Sequence, residues 1–324
     1  MRRRRVLVTV AAAVAAPALA TGARAQAFPS KPIRILIPFA PGGTSDILAR
    51  LLQPHLQAAL GQSVVVENRT GAAGNIGVEA AIEAEPDGYT LLFGTMGAMT
   101  TNPHLYDVDF DPATDLVPIS KTFEVDHVLV MHPDVPADTV QELIALAKER
   151  PGELTYGSAG IGSSVQMFMV MLEQRAGIEM QQVPYNGSAP ARVDTVAGNI
   201  DMVMDSVPSA QEHIAAGDLK ALAVTAGERN EALPDIPTMM EAGIDDYAAV
   251  AWGALLAPKG TPQEVIDRLS EATQAALANP DVVEAYKKSG LDPVSSTPEE
   301  LAQLIHDDTE RWGEIVREAG ITIE

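Results

Sequence analysis

The run Ile33-Arg34-Ile35-Leu36-Ile37-Pro38-Phe39-Ala40-Pro41-Gly42-Gly43-Thr44-Ser45-Asp46 decides the fold class. Its first five residues form a short apolar stretch of the kind that makes a buried strand. A turn rich in proline and glycine follows. From Asp46 onward, Ile47, Leu48, Leu51, Leu52, Leu56, Ala59 and Leu60 fall on one helical face, and Gly61 supplies the stop. Pro54 sits inside that helix, removes one backbone hydrogen bond and predicts a kink. Strand, tight turn and helix together make the opening unit of an α/β sheet.

The same alternation continues along the chain. Val64–Val66 and Thr90–Phe93 read as strands, followed by Val128–Met131, Leu154–Tyr156, Met180–Val183, Asp201–Met204, Leu219–Thr225 and Ala249–Leu256. Helical stretches lie between most of them, which predicts largely parallel sheets. Thr139 with Glu142, Thr261 with Glu264 and Thr297 with Glu300 have the spacing of helix-starting capping boxes. The last helix, Pro298 to about Ala319, puts Leu301, Leu304, Ile305, Trp312, Ile315 and Val316 on one stripe. A length of 324 residues suggests two domains. No long Gly/Ser linker separates them, so one domain is expected to be discontinuous.

The N-terminus is set apart from this pattern. Arg2–Arg5 precede an apolar run from Val6 to Ala20, and Ala23-Arg24-Ala25 follows. A basic start, a short apolar stretch and an A-x-A site describe a secretory signal peptide over residues 1–25. Cleavage is expected after Ala25 or Ala27, with export by the general route rather than the twin-arginine one. Val6–Ala20 is shorter than the ~20 apolar residues of a membrane span.

Composition narrows the function classes. The chain has no cysteine, 22 basic and 44 acidic side chains. Lack of Cys excludes disulfides, thiolate metal sites, a cysteine nucleophile and a lipoprotein anchor. Loss of residues 1–25, with five arginines and no acid, leaves 17 basic and 44 acidic groups, a formal charge of -27. Such a field argues against nucleic acid and would repel an anionic ligand, which must then be held by local groups.

Four glycine- or hydroxyl-rich segments stand at strand ends: Pro38–Asp46, Gly94–Gly97, Gly157–Ser164 and Pro184–Pro190. In open α/β sheets, ligands bind beyond the carboxyl ends of strands. Each segment leads toward a helix, whose first N–H groups lack partners and attract carboxylate or phosphate. None of the four contains Lys or Arg. A single such loop is ordinary turn chemistry, whereas four at corresponding strand ends point to a shared cleft. Gly71–Gly77 fits neither a P-loop nor G-x-G-x-x-G and reads as a helix-starting loop at the margin of the cleft. Signs of catalysis are poor. There is no G-x-S-x-G elbow, and His55, His104, His127, His132, His213 and His306 form no zinc motif. His127 and His132 read as surface residues flanking a strand, with Asp126 and Asp134 solvated beside them. Asp46 and Asp205 could form a carboxylate pair across the cleft, or could orient loops.

Several ordered motifs carry a family resemblance. They are Phe28–Arg34, Pro38–Asp46, Val65–Arg69, Gly71–Gly77, Pro86–Leu92, Asn102-Pro103, Pro151–Leu154, Val183–Tyr185, Ala221–Thr225, Leu233–Thr238 and Ala257–Pro262. Across residues 28–320 they resemble the substrate-binding proteins of tripartite tricarboxylate transporters, the Bug family. The resemblance implies an α/β, type II-like periplasmic binding protein fold, a Venus flytrap of two domains. Each would be a mostly parallel sheet flanked by helices. Domain 1 would comprise residues 28–124 plus 247–324 and domain 2 residues 125–246, with the ligand cleft between them.

The implied function is capture of a small carboxylate (an organic acid, an acidic amino acid or an aromatic acid) and its delivery to inner-membrane transporter subunits. A monomer without cofactor or catalytic residues is expected. The implied pocket takes Phe39, Ala40, Gly43, Thr44, Asp46 and Thr95 from domain 1. From domain 2 it takes Ser158, Ser163, Ser164, Gln166, Tyr185, Asn186 and Asp205. Gln166 stands where many members have His, and Asn186 where many have Lys. Amides in place of cationic groups favour a monocarboxylate or amide-bearing ligand over a tricarboxylate. The alternatives are a ligand sensor docking on a sensor kinase, or a binder of an amide or neutral compound. A secreted hydrolase or lyase would need a nucleophile–base pair or a metal site, and the sequence offers neither.

Overall fold

The computed structural model describes residues 28–185, 187–288 and 291–322. The leader expected over residues 1–25 and the site candidate Asn186 lie outside these residues. The strands are β1 (Ile33–Ile37), β2 (Val64–Asn68), β3 (Thr90–Thr95), β4 (Leu116–Val125), β5 (His127–Met131), β6 (Thr155–Ser158), β7 (Gln181–Pro184), β8 (Met202–Ser206), β9 (Lys220–Val224) and β10 (Ala251–Pro258). The helices are α1 (Thr44–Leu60), α2 (Asn75–Ile82), α3 (Asn102–Leu105), α4 (Pro112–Asp115), α5 (Val140–Glu149), α6 (Ser164–Ala176), α7 (Ser188–Val196), α8 (Val207–Ala216), α9 (Gln263–Leu277), α10 (Pro280–Lys288) and α11 (Pro298–Ala319).

Two five-stranded sheets result, ordered β2-β1-β3-β10-β4 and β7-β6-β8-β5-β9. Both are mixed, and each has one reversed strand. In the first sheet, β1 pairs in parallel with β2 and β3, while β10 runs antiparallel to β3 and β4. In the second, β6 pairs in parallel with β7 and β8, and β5 is antiparallel to β8 and β9. The reversed strands are the ones that the chain enters on crossing from the other sheet, so the crossovers set the reversal. All eight residues of β10 are buried, as expected for an apolar run paired on both sides.

Only Asp126 separates β4 from β5. The two crossing segments are tied to each other: Thr225 N–H donates to His127 O at 2.8 Å, and Ala249 N–H to Thr225 O at 2.9 Å. His127 is 5% exposed and its ring meets Phe168 edge-on at 5.2 Å, so it is a buried residue at the crossover and not a surface one. Burial holds its imidazole at about 4, well below the usual range. Asp126 is likewise not simply solvated. It is half-buried, accepts from Asn230 Nδ2 at 2.8 Å, and its carboxyl is pushed up by desolvation.

One apolar cluster fills the face of the first sheet under α1, α9 and α10, including Ile33, Ile35, Leu48, Leu269 and Tyr286. The other starts on the opposite face at Leu36 and Leu92. It runs through Leu301, Ile305 and Trp312 of α11 to Phe168 of α6, and continues into the second sheet. Phe168 and Trp312 rings lie 5.7 Å apart, and Gln174 Nε2 donates to Ile315 O at 2.9 Å. Helix α11 thus bridges the two sheets.

Helix starts follow the sequence in part. Thr297 and Glu300 form the full capping box. Thr139 caps Glu142 N–H, but the Glu142 carboxylate turns to Asp138 N–H instead. Thr261 does not cap: its hydroxyl donates to Pro258 O at 2.7 Å, and α9 begins after Pro262. Helix α1 runs unbroken through Pro54 and ends at Gly61, φ 69°, whose N–H donates to Gln57 O.

Candidate binding site

The strand-end loops form two half-sites, one per sheet. In the first, the Pro38–Gly43 turn is organised from below by Asp46. One Asp46 oxygen accepts from Gly42 N–H at 2.9 Å, and the other from Arg50 Nε at 2.9 Å and Asn68 Nδ2 at 3.0 Å. Asn68 Nδ2 also reaches Phe39 O at 3.0 Å. The Arg50 hydrogen bond leads in holding the Asp46 carboxyl down at about 2, with Gly42 and Asn68 adding to it. Asp46 therefore orients the loop, with its oxygens already serving Gly42, Arg50 and Asn68. Above it, Ala40, Gly43 and Thr44 are exposed and Phe39 half-buried. Helix α1 has no side-chain cap, so the N–H groups of its first turn stay available. Thr95 is half-buried at the end of β3.

The loop Gly71–Gly77 is built into this half-site. A Cβ on Gly77 would lie 2.7 Å from Pro38 Cα, and one on Gly74 would lie 3.3 Å from Phe39 Cζ. Ala72 and Ala73 hold positive φ, 45° and 54°, a conformation that costs non-glycine residues about 1–3 kcal/mol each.

The second half-site is more enclosed. Ser158, at the end of β6, is 0% exposed, and Gln166 in the first turn of α6 is 3% exposed. Ser163 caps α6, accepting from Gln166 N–H at 3.3 Å and donating to Gly160 O at 2.7 Å. Ser164 follows, half-buried. Gln166 accepts from Gly162 N–H and donates to Gln182, which donates to Ser158. Tyr185 donates its hydroxyl to Asp194 at 2.7 Å; desolvation first, and then Asp194, push its phenol up to about 12. Gly160, Pro184, Tyr185 and Pro190 line a hollow of about 680 Å³.

Asp205, on β8, is 1% exposed and accepts from Arg192 Nη1 of α7 at 2.8 Å. Burial pushes its carboxyl up, and Arg192 opposes that shift. Asp46 and Asp205 therefore make no pair across the cleft, because each is held by an arginine of its own half. The two halves do meet elsewhere: a Cβ on Gly97, after β3, would lie 2.9 Å from the carbonyl oxygen of Gly162 in the β6–α6 loop.

Residues not anticipated as part of the site are Arg50, Asn68, Gln182, Arg192 and Asp194. Of these only Arg50 had a sequence signal, four residues after Asp46 on one helix. Among the described residues, no group of three or more His, Cys, Asp and Glu side chains could hold a metal ion. No described helix is long and apolar enough to cross a membrane.

Residues 48–321 match the family described as "Tripartite tricarboxylate transporter family receptor". The chain belongs to this family. It is 36% identical to protein BugT of Bordetella pertussis over 329 residues, 100% of both chains. Among solved structures it is similar to an R. palustris protein with adipate, at 33% identity and TM-score 0.79, covering 91% of this chain and 100% of that one. It is also similar to MatC from Rhodopseudomonas palustris with bound malate, at 30% identity and TM-score 0.77, covering 89% and 100%. The fold and family are those of periplasmic solute-binding proteins, which are not enzymes. Receptors of this family bind small molecules and work with transporters.

Proposed function

We propose that this protein is exported to the periplasm, where as a monomer it captures a small carboxylate between its two sheets and delivers it to an inner-membrane transporter of the tripartite tricarboxylate type. The observation that carries this reading is the contrast between donors and acceptors at the strand ends. The first turn of α1 offers unpaired N–H groups and the Thr44 and Ser45 hydroxyls, while Asp46 and Asp205 are each neutralised by an arginine within their own half. A carboxylate placed there meets donors and no free like charge, despite the acidic surface. Adipate and malate, found in two relatives, are both carboxylates. Binding would draw the halves together about the Asp126 crossing, since the ligand favours the state in which both contact it.

The test is calorimetry of the mature protein with adipate, malate and their diamides. Saturable binding of a carboxylate that its diamide does not match is the expected result. Binding of the diamides alone would overturn the carboxylate reading in favour of an amide receptor.

A further inference from the structure

The Ser158 hydroxyl ends a hydrogen-bond chain whose direction the backbone dictates. Gly162 N–H can only donate, so the Gln166 atom 2.7 Å away is its amide oxygen. Gln166 must then present its Nε2 to Gln182, where it donates to Oε1 at 2.9 Å. Gln182 is left with its own Nε2 for Ser158, and donates to Oγ at 2.6 Å. Gly160 N–H points at the same Oγ, at 3.4 Å. Ser158 Oγ thus accepts from two sides, and a hydroxyl has one hydrogen left to give. Among the described residues nothing accepts it, although Ser158 is fully buried. Buried polar hydrogens without partners are rare and costly. Ser158 is level with Pro184 in the β6–β7 ladder, and Pro184 and Gly160 line the hollow beside it.

We propose that Gln182 is a positioning and specificity residue: through the Gly162–Gln166–Gln182 chain it makes Ser158 an obligate donor to the ligand. This place in the site then takes an oxygen acceptor, a charged carboxylate in preference to a neutral carbonyl, and rejects an ammonium or amide N–H. The proposal rests on the reading that the β6–α6 half-site faces the ligand, and extends it from a list of donors to a fixed polarity.

Gln182→Glu reverses the end of the chain with little change of shape. A carboxylate accepts from Gln166 Nε2 with one oxygen and draws in the Ser158 hydrogen with the other. Wild type should prefer adipate to adipamide by calorimetry, and Gln182→Glu should lower that ratio by about tenfold or more. Adding Ser158→Ala should abolish the effect of residue 182 on the ratio. A structural role alone would lower both affinities and the melting temperature together, leaving the ratio unchanged, and that result would overturn the proposal. Should wild type bind neither probe, the carboxylate reading fails by itself, and neutron diffraction of the ligand-free protein decides the relay. A Ser158 deuterium turned away from Gln182 is expected; one directed at Gln182 would overturn it.

Discussion

Asp46 and Asp205 make the same interaction in the two halves of the molecule and respond to it in opposite ways. Each carboxylate is nearly inaccessible, and each meets one arginine at hydrogen-bond distance, 2.9 and 2.8 Å. The Asp46 carboxyl is held down at about 2, whereas that of Asp205 is pushed up. The difference lies in the surroundings. Arg50 is 47% exposed, and Asp46 gains Gly42 and Asn68 as further donors at the rim. Arg192 is 19% exposed, and Asp205, on β8 in the interior, accepts besides only from Ser206 N–H at 2.9 Å, so that desolvation outweighs its partners. An ion pair at the rim can thus shape a loop at little expense, while one in the interior is held under penalty.

The strongest way to break this contrast is Arg192→Met. It should leave Asp205 buried with no opposite charge beside it, only the Ser206 N–H, and cost about 3–5 kcal/mol in urea denaturation. A loss no greater than that of a surface pair would erase the distinction. Next in size, Asp46→Ala should release the Pro38–Gly43 turn. We expect affinity for adipate to fall about tenfold to a hundredfold while the fold is retained, as for loss of a hydrogen-bonded charge. Unchanged affinity by calorimetry would remove this turn from the site.

Acid titration separates the two carboxylates by sign. Asp46 has a folded value near 2 against an ordinary 3.8, so its contribution is complete above about 4 and disappears as pH falls through about 2. The melting difference between wild type and Asp46→Asn should therefore close over that window. Asp205, shifted upward, works the other way: its penalty is relieved as pH falls toward the unfolded value. The smallest effect is expected for Arg50→Met, at most about 1 kcal/mol, because Gly42 and Asn68 still serve Asp46.

The sequence is legible where the deciding contacts are local. The β1 run, the turn after it, Gly61 and the Thr297–Glu300 box are all settled within a few residues, and the structure has them as expected. Strand β4 escaped notice because Pro118, Ser120, Lys121 and Thr122 interrupt its apolar pattern. It tolerates them as an edge strand, where a proline forfeits no essential bond. The reversal of β10 and β5 follows from which sheet each strand enters, and no local periodicity records that. His127 misled for the same reason: its burial depends on Phe168, far along the chain. In the site, the Asp46–Arg50 pair was within reach of helical spacing, but Arg192 with Asp205, and Gln166 with Gln182, join different elements. The chemistry of the loops was readable, and the polarity of their supports was not.

The apolar cluster threaded through α11 has a consequence for how the molecule comes apart. Phe168 and Trp312 belong to one contiguous interior that serves both sheets. Domains with private interiors can melt in separate steps. Here the first sheet keeps one apolar face to itself under α1, α9 and α10, but shares the other with the second sheet through α11. Through this interior the last helix in the sequence couples the two sheets, so a single calorimetric transition is expected, and removal of residues 298–322 should split or broaden it.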